Sequence, residues 1–274
     1  MMDRQRYEAV VVGSGPNGLA AAITIAERGG SVLVYEAAPI CGGGMRTAEL
    51  TLPGFQHDVC SAVHPLAVSS PFLRKLPLEK HGTQWIASPN ELAHPLGDAA
   101  AVLYRSVEKT AAGLGEDAES YEKLMRPWVK MGDALFEEVL QPMLHWPQHP
   151  FKLAKFGLEA IQSGRGFADR KFRSEKARAF FAGLAGHSMI PLNWCASSAI
   201  ALILAVAGHI RGWPIPRGGS QSITNAMVSY LRSLGGRGSH RSEDRIARSA
   251  ATQSVDFFGC NAEAIFKNRW KSSR

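Results

Sequence analysis

A glycine-rich turn near the start of the chain restricts its fold more than any other feature. The β-branched run YEAVVV (residues 7–12) leads into GSGPNG (13–18), and LAAAITIAERGG follows with apolar residues at helical spacing. Gly29 and Gly30 suit the end of that helix, where a positive φ is needed. A second apolar run, SVLVYE, then ends at Glu36. This order predicts strand, tight turn, helix and strand, which is a βαβ unit.

The three glycines of the motif suit a dinucleotide site. Gly13 permits the tight turn, Gly15 lets the backbone approach a pyrophosphate at the helix N-terminus, and Gly18 allows close contact between helix and strand. An acid at Glu36 is expected to hold the ribose hydroxyls and disfavours a 2′-phosphate, so FAD or NAD is favoured over NADP. The alternative is a βαβ unit with no ligand. The predicted cofactor site also includes the neighbouring residues Ser14, Pro16, Asn17 and Ala37.

A second glycine cluster, CGGGMRT (residues 41–47), begins close behind Glu36. The spacing leaves no room for another crossover helix, so the chain must turn locally. Successive glycines let backbone N–H groups approach a second part of the same dinucleotide, and an arginine adds positive charge. A flexible surface loop is the alternative. The predicted site therefore also contains Gly42, Gly43, Gly44, Arg46 and Thr47.

With these motifs the sequence resembles the phytoene desaturase-like and flavin amine oxidase superfamily, whose N-terminal signature is a dinucleotide fold, an acid and a Gly-Gly-Arg element. The resemblance implies FAD. One departure is Met45, which precedes Arg46 where the family has arginine directly after the glycines. LTLPGFQHDVCSAVHP (50–65) and WPIPRGGSQSITNAM (213–227) resemble the phytoene desaturase-like branch, most closely the pyridine nucleotide-disulfide oxidoreductase domain-containing protein 2 type, up to about residue 236.

The resemblance implies an α/β fold in which a Rossmann-like FAD/NAD(P)-binding domain carries an inserted, mainly helical α+β substrate region. We expect an FAD-binding segment at 1–75, a helical substrate domain at 76–212, a return segment at 213–236 and an aberrant or disordered basic tail at 237–274. Gly218 and Gly219 are expected to return the chain to the cofactor. Ser220 and Gln221 are expected either to reach the cofactor side or to form a plain turn before a helix.

The middle of the chain, residues 104–210, predicts short helices separated at Pro127, Pro142, Pro147 and Pro150. Its aromatic residues are expected in the core, with an apolar tunnel as the alternative. The catalytic candidates are His57, Asp58 and His64, because a carboxylate near histidines suits acid–base chemistry, although a structural role is favoured for each.

Composition excludes several classes of protein. The 274 residues are 45% hydrophobic and carry a net charge of +7, and four separated cysteines without a C-x-x-C pair predict neither a disulfide scaffold nor a metal site. No export signal is recognised, so we expect a cytoplasmic protein, with peripheral membrane contact through the basic residues left open. We expect no nucleic-acid partner, and no specific protein partner is inferable.

After Gly236 the resemblance stops, and the Arg- and Ser-rich tail lacks the alternating pattern of a strand. A reading-frame change near codon 237 or a natural short variant accounts for this. The resemblance implies hydride transfer from a small apolar substrate, isoprenoid- or carotenoid-like, to FAD, with activity impaired in so short a chain. The alternatives are a flavin amine oxidase and a non-enzymatic isoprenoid-binding escort protein of the Rab GDP-dissociation inhibitor type.

Overall fold

The computed structural model describes residues 7–141 and 145–235, together with the backbone of three short segments at 246–248, 256–257 and 260–261. The chain divides into two compact units. The first unit comprises Met1–Ser61, Leu78–Thr83 and Gly218–Arg274, and the second comprises Ala62–Pro77 and Gln84–Arg217. The boundaries expected from the sequence, at 75/76 and 212/213, differ from these. At the second of them, residues 215–216 pair with residues 85–86 inside the second unit.

The first unit contains the predicted βαβ arrangement. Strand β1 (Ala9–Val12), helix α1 (Pro16–Glu27) and strand β2 (Val32–Glu36) follow one another, and the strands pair in parallel from Ala9 with Val32 to Val12 with Tyr35. The apolar face of α1, which includes Leu19 and Ile23, is fully buried. Burial in one core therefore explains both the helical spacing of apolar residues in α1 and the continuous apolar run in β2.

The end of α1 confirms part of the glycine prediction. Gly29 has a φ of +85°, and its N–H donates to the carbonyl of Ala26 at 3.0 Å. The N–H of Gly30 donates to the carbonyl of Ile25 at 3.0 Å. These two bonds form a Schellman motif. Only Gly29 of the pair has the left-handed conformation.

A hairpin and a helix from far along the chain also belong to the first unit. Strands β3 (Thr47–Glu49) and β4 (Gln56–Asp58) pair antiparallel. Helix α10 (Gln221–Leu234) returns from far along the chain and packs against α1. A 3₁₀ turn at Leu78–His81 contacts the same helix.

The tail contains a strand that the sequence did not predict. Strand β9 (Ile246–Arg248) pairs in parallel with β2, giving the order β1-β2-β9. The free edge of β2 offers backbone N–H and C=O groups to any extended segment, so an alternating side-chain pattern is not required. Strands β10 (Asp256–Phe257) and β11 (Cys260–Asn261) pair antiparallel. The rest of the tail beyond residue 235 lies outside the described residues.

The second unit is mainly helical, as expected. Two small antiparallel pairs accompany the helices, β5 (Trp85–Ile86) with β8 (Ile215–Pro216) and β6 (Leu92–Leu96) with β7 (Ala99–Leu103). The helices are α2 (Pro65–Ser69), α3 (Val107–Ala112), α4 (Ala118–Met131), α5 (Asp133–Val139), α6 (Pro150–Ala160), α7 (Gly164–Lys171), α8 (Glu175–Gly186) and α9 (Ser197–Ile210).

Many aromatic residues of the second unit belong to its core, whereas Trp146, Phe151 and Trp194 are exposed. Tyr121, Phe136, Phe167 and Phe180 are all less than 2% exposed and belong to one apolar cluster. The core interpretation of these side chains is confirmed. Helix α9, the longest apolar run of the sequence, is buried in this cluster.

The predicted helix boundaries are only partly right. Pro150 occupies the first position of α6, where proline is well tolerated. Pro127 lies inside α4 instead of ending a helix. The buried face of α4 accounts for this, because Tyr121, Leu124 and Trp128 keep the same helical spacing on both sides of the proline. Pro142 lies outside the described residues.

No helix in the described ranges is both long enough and apolar enough to cross a bilayer.

Candidate dinucleotide-binding site

The turn between β1 and α1 has the geometry that its glycines predict. Gly13 has a φ of +94°, and its N–H donates to the carbonyl of Tyr35 on β2 at 2.7 Å. A Cβ on Gly18 would overlap the carbonyl oxygen of Gly13. Only glycine fits at Gly18 without displacing the turn, so α1 begins as close to β1 as the backbone allows.

The N-terminus of α1 is open to an anion. Gly15 is the N-cap and provides no side-chain acceptor, and Pro16 occupies the first turn. The first N–H groups of a helix have no partner within the helix, and the helix dipole adds a partial positive charge. The first turn of α1, which contains Asn17, can therefore bind a phosphate.

Glu36 lies at the carboxyl end of β2 and contacts the glycine turn directly. Its Oε2 accepts hydrogen bonds from the N–H of Ser14, at 2.8 Å, and from the Ser14 hydroxyl. Its Oε1 accepts from the N–H of Ala38 at 2.8 Å. An ionised carboxylate has about four acceptor sites, and these donors use three of them. Ala37, which is also part of the predicted site, directly follows Glu36.

The surroundings of Glu36 keep it ionised. Burial alone would raise the pKa of its carboxyl, but hydrogen bonds from Ser14 and Ala38 and the charge of Arg46 outweigh burial and hold this pKa below its usual value. A carboxylate fixed at the end of β2 can accept from ribose hydroxyls and repels a 2′-phosphate.

The second glycine cluster lies against the first. A Cβ on Gly43 would come within 3.0 Å of the Cα of Gly15. Gly42 donates its N–H to the Ser14 hydroxyl at 3.1 Å. With φ values of +130° for Gly42 and +54° for Gly43, this loop adopts backbone conformations that glycine favours. The structure therefore brings the two glycine clusters together, backbone against backbone.

Met45 and Arg46, which follow the glycines, differ in their exposure to solvent. A 3₁₀ turn spans Gly43–Met45, and Met45 in it is only 8% exposed, so the methionine is an internal packing residue of this loop. Arg46 is partly exposed, and its Nε donates to the carbonyl of Gly43 at 2.8 Å. The extra residue thus leaves the arginine folded back over the glycine loop.

The predicted return turn reaches the same loop. Gly218 and Gly219 have φ values of +80° and +85°, and a Cβ on Gly219 would lie 2.5 Å from the Oγ1 of Thr47. Thr47 donates this hydroxyl to Oδ1 of Asp58 at 2.6 Å. Ser220 donates its N–H to the same oxygen at 2.7 Å. These bonds join the return turn to the β3–β4 hairpin.

The catalytic candidates do not form one group in a single unit. Asp58 accepts the two hydrogen bonds just described, which gives it a structural part in the first unit. His57, next to it on β4, lies 2.7 Å from the Thr51 hydroxyl through its Nε2. His64 belongs to the second unit, where its N–H donates to the carbonyl of Pro214 at 3.0 Å. A catalytic function for these residues stays a prediction.

Thr224 is a site residue that the sequence analysis missed. It is fully buried on the first turns of α10, and a Cβ on Gly42 would lie 2.7 Å from its Oγ1. The only signal for it was the family-like segment in which it stands, because its contact with Gly42 spans most of the described chain.

The first unit fits the adenosine diphosphate part of a dinucleotide. Glycine at Gly15 and Gly43 lets the two loops lie backbone against backbone, the N-terminus of α1 has no side-chain cap, and the ionised Glu36 stands at the adjacent strand end. Each feature matches one chemical part of the ligand, namely the pyrophosphate for the first two and the ribose for the third.

Comparisons with known proteins agree with this geometry. Residues 11–76 match the profile of the NAD(P)-binding Rossmann-like domain family. No curated protein matches the chain. Among solved structures, the chain is similar to wild-type putrescine oxidase bound to putrescine, with 17% identity and a TM-score of 0.51 over 89% of this chain and 51% of the oxidase.

Two further structures extend the likeness. Cyclohexylamine oxidase from Brevibacterium oxydans matches with 15% identity and a TM-score of 0.51 over 84% of this chain and 50% of its own. A fatty acid isomerase from P. acnes that produces CLA matches with 11% identity and a TM-score of 0.50 over 88% and 51%. The chain spans about half the length of these enzymes. It contains a Rossmann-like NAD(P)-binding domain and shares its fold with two oxidases, putrescine oxidase and cyclohexylamine oxidase.

Proposed function

We propose that this chain carries the dinucleotide site of an FAD-dependent oxidoreductase. The observation that carries the proposal is the contact between the two glycine clusters, where Gly43 lies against Gly15 while Gly42 bonds to Ser14. A plain NAD site needs only the first cluster. A second glycine loop fixed beside the pyrophosphate position supports a longer, flavin-containing dinucleotide.

Each part of the site would bind a different part of the dinucleotide. The N-terminus of α1 would bind the pyrophosphate, Glu36 the adenosine ribose, and the loop at 42–46 the portion beyond the phosphates, with Arg46 adding positive charge. When bound, the flavin supplies the hydride acceptor. The residues of this chain bind and orient the cofactor.

The substrate class follows from the resemblance, not from a cavity. We propose an apolar substrate of isoprenoid or carotenoid type, within the branch that WPIPRGGSQSITNAM resembles. A second candidate is an amine, since two of the similar structures are named putrescine oxidase and cyclohexylamine oxidase. We propose peripheral membrane contact only together with the apolar substrate of isoprenoid or carotenoid type.

Calorimetric titration of the chain with FAD, NAD and NADP tests the cofactor proposal. We expect FAD to bind more tightly than NAD and NADP to bind most weakly. Glu36→Ala should weaken FAD binding by about ten- to a hundredfold, the range for a hydrogen-bonded charge, whereas Glu49→Ala on the exposed part of β3 should leave it unchanged. Absence of FAD binding would contradict the proposal and would favour an escort protein that uses no flavin, whereas equal affinity in the Glu36→Ala variant would contradict the ribose-binding function of Glu36.

A further inference from the structure

One residue of α10 contacts both ends of the second glycine loop. The backbone N–H of Gln221 donates to Oγ1 of Thr47 at 3.0 Å, and its side-chain Nε2 donates to the carbonyl of Cys41 at 3.1 Å. Cys41 and Thr47 are the first and last residues of the loop CGGGMRT. Gln221 therefore spans the loop from one end to the other.

The start of α10 is itself firmly placed. Ser220 donates its N–H to Asp58 Oδ1 at 2.7 Å and its hydroxyl to the carbonyl of Ser61 at 2.5 Å. Gly219 packs so closely against Thr47 that no Cβ fits. The body of α10 is anchored by Ile223 and Met227, which are fully buried. Gln221 thus connects the loop to a fixed helix.

The glycine loop needs such an anchor. Three successive glycines lose more conformational freedom on ordering than other residues do. Within the loop, the N–H of Met45 donates to the carbonyl of Gly42 at 2.9 Å and Arg46 Nε donates to Gly43. These local bonds shape the turn. Gly42 also bonds to Ser14 and Thr47 to Asp58, and the side chain of Gln221 adds the bond that holds the loop at its first residue, Cys41.

We propose that Gln221 is a positioning residue that holds the loop at 41–47 in the conformation that receives the dinucleotide, so that cofactor binding depends on the docking of α10. This inference rests on the proposed FAD site. It predicts that the loop is ordered before the cofactor arrives and that Gln221 acts through the loop without contacting the cofactor.

Two measurements on the wild type and three variants test the proposal: amide hydrogen exchange of Gly42 and Met45 without ligand, and FAD affinity by calorimetry. Gln221→Leu keeps the size of the side chain and removes its donor. Asn225→Ala is the matched control, because Asn225 is exposed and its Oδ1 is the other acceptor of Gln221 Nε2, at 3.1 Å. Gln221→Glu repeats the test with the side-chain length retained.

We expect both Gln221 variants to exchange these two amides faster and to bind FAD more weakly, each by about fivefold, which corresponds to one neutral hydrogen bond. The control should match the wild type in both measurements. Unchanged exchange in both Gln221 variants would overturn the inference, as would changed exchange with unchanged FAD affinity. If the wild type binds no FAD, the proposed function fails, while the exchange rates still decide whether Gln221 holds the loop.

Discussion

A buried histidine gives the second unit a predictable pH dependence. His209 on α9 is 6% exposed, its Nε2 lies 2.7 Å from the Tyr121 hydroxyl, and its Nδ1 lies 3.2 Å from the carbonyl of Arg105. A carbonyl only accepts, so Nδ1 carries the proton and Nε2 accepts from Tyr121. Burial raises the pKa of Tyr121, which remains a donor.

Burial also lowers the pKa of His209 from 6.5 to about 4, against weaker opposing effects from the carbonyls of Arg105 and Tyr104 and the charge of Glu108. Between these two values the unfolded chain binds a proton that the folded chain does not, so stability falls as pH falls. At about 1.4 kcal/mol per pKa unit, the loss is about 2 kcal/mol between pH 7.5 and 5.

Urea unfolding followed by tryptophan fluorescence measures this loss, since Trp128 and Trp213 are both buried in the second unit. Over the same pH interval, His209→Gln should lose about 2 kcal/mol less than the wild type, and His187→Gln at an exposed position should behave as the wild type does. The same pH dependence in wild type and His209→Gln would show that burial of His209 does not cause the loss of stability.

Two substitutions, one in each unit, test a close backbone contact and a buried hydrogen-bonded carboxylate. Gly18→Ala should lower the melting temperature and weaken FAD binding at least tenfold, because its Cβ would overlap the Gly13 carbonyl oxygen. The control Gly157→Ala, in open space on a helix, should be neutral or stabilising by up to about 1 kcal/mol. Equal effects of the two substitutions would contradict the steric overlap at Gly18. Asp117→Ala should lower the free energy of unfolding, measured with urea, by about 2–3 kcal/mol, because buried Asp117 accepts from both the N–H and the hydroxyl of Ser174. A loss under 0.5 kcal/mol would show that these bonds contribute little to stability.

The first forty residues could be predicted because their signals are local. Gly13, Gly18 and Glu36 act within one βαβ unit, where periodicity and turn chemistry are read over short distances. Burial of the long apolar run in α9 followed from the same kind of pattern.

The remaining features depend on contacts between distant parts of the chain. Pro127 stays inside α4 because the packing of its neighbours outweighs a local rule, and β9 pairs with the edge of β2 through backbone groups that carry no sequence pattern. Gln221 was expected either to reach the cofactor or to form a plain turn; its bonds to Cys41 and Thr47 span 180 and 174 positions. No local pattern encodes such a contact.

The proposed FAD site requires both glycine clusters to bind one dinucleotide. Amide hydrogen exchange of the chain with and without saturating FAD measures this directly. We expect slower exchange in both segments at once, in the first turn of α1 at 17–19 and in the loop at 42–46. Protection of the first segment alone, or of neither, would contradict the proposed site.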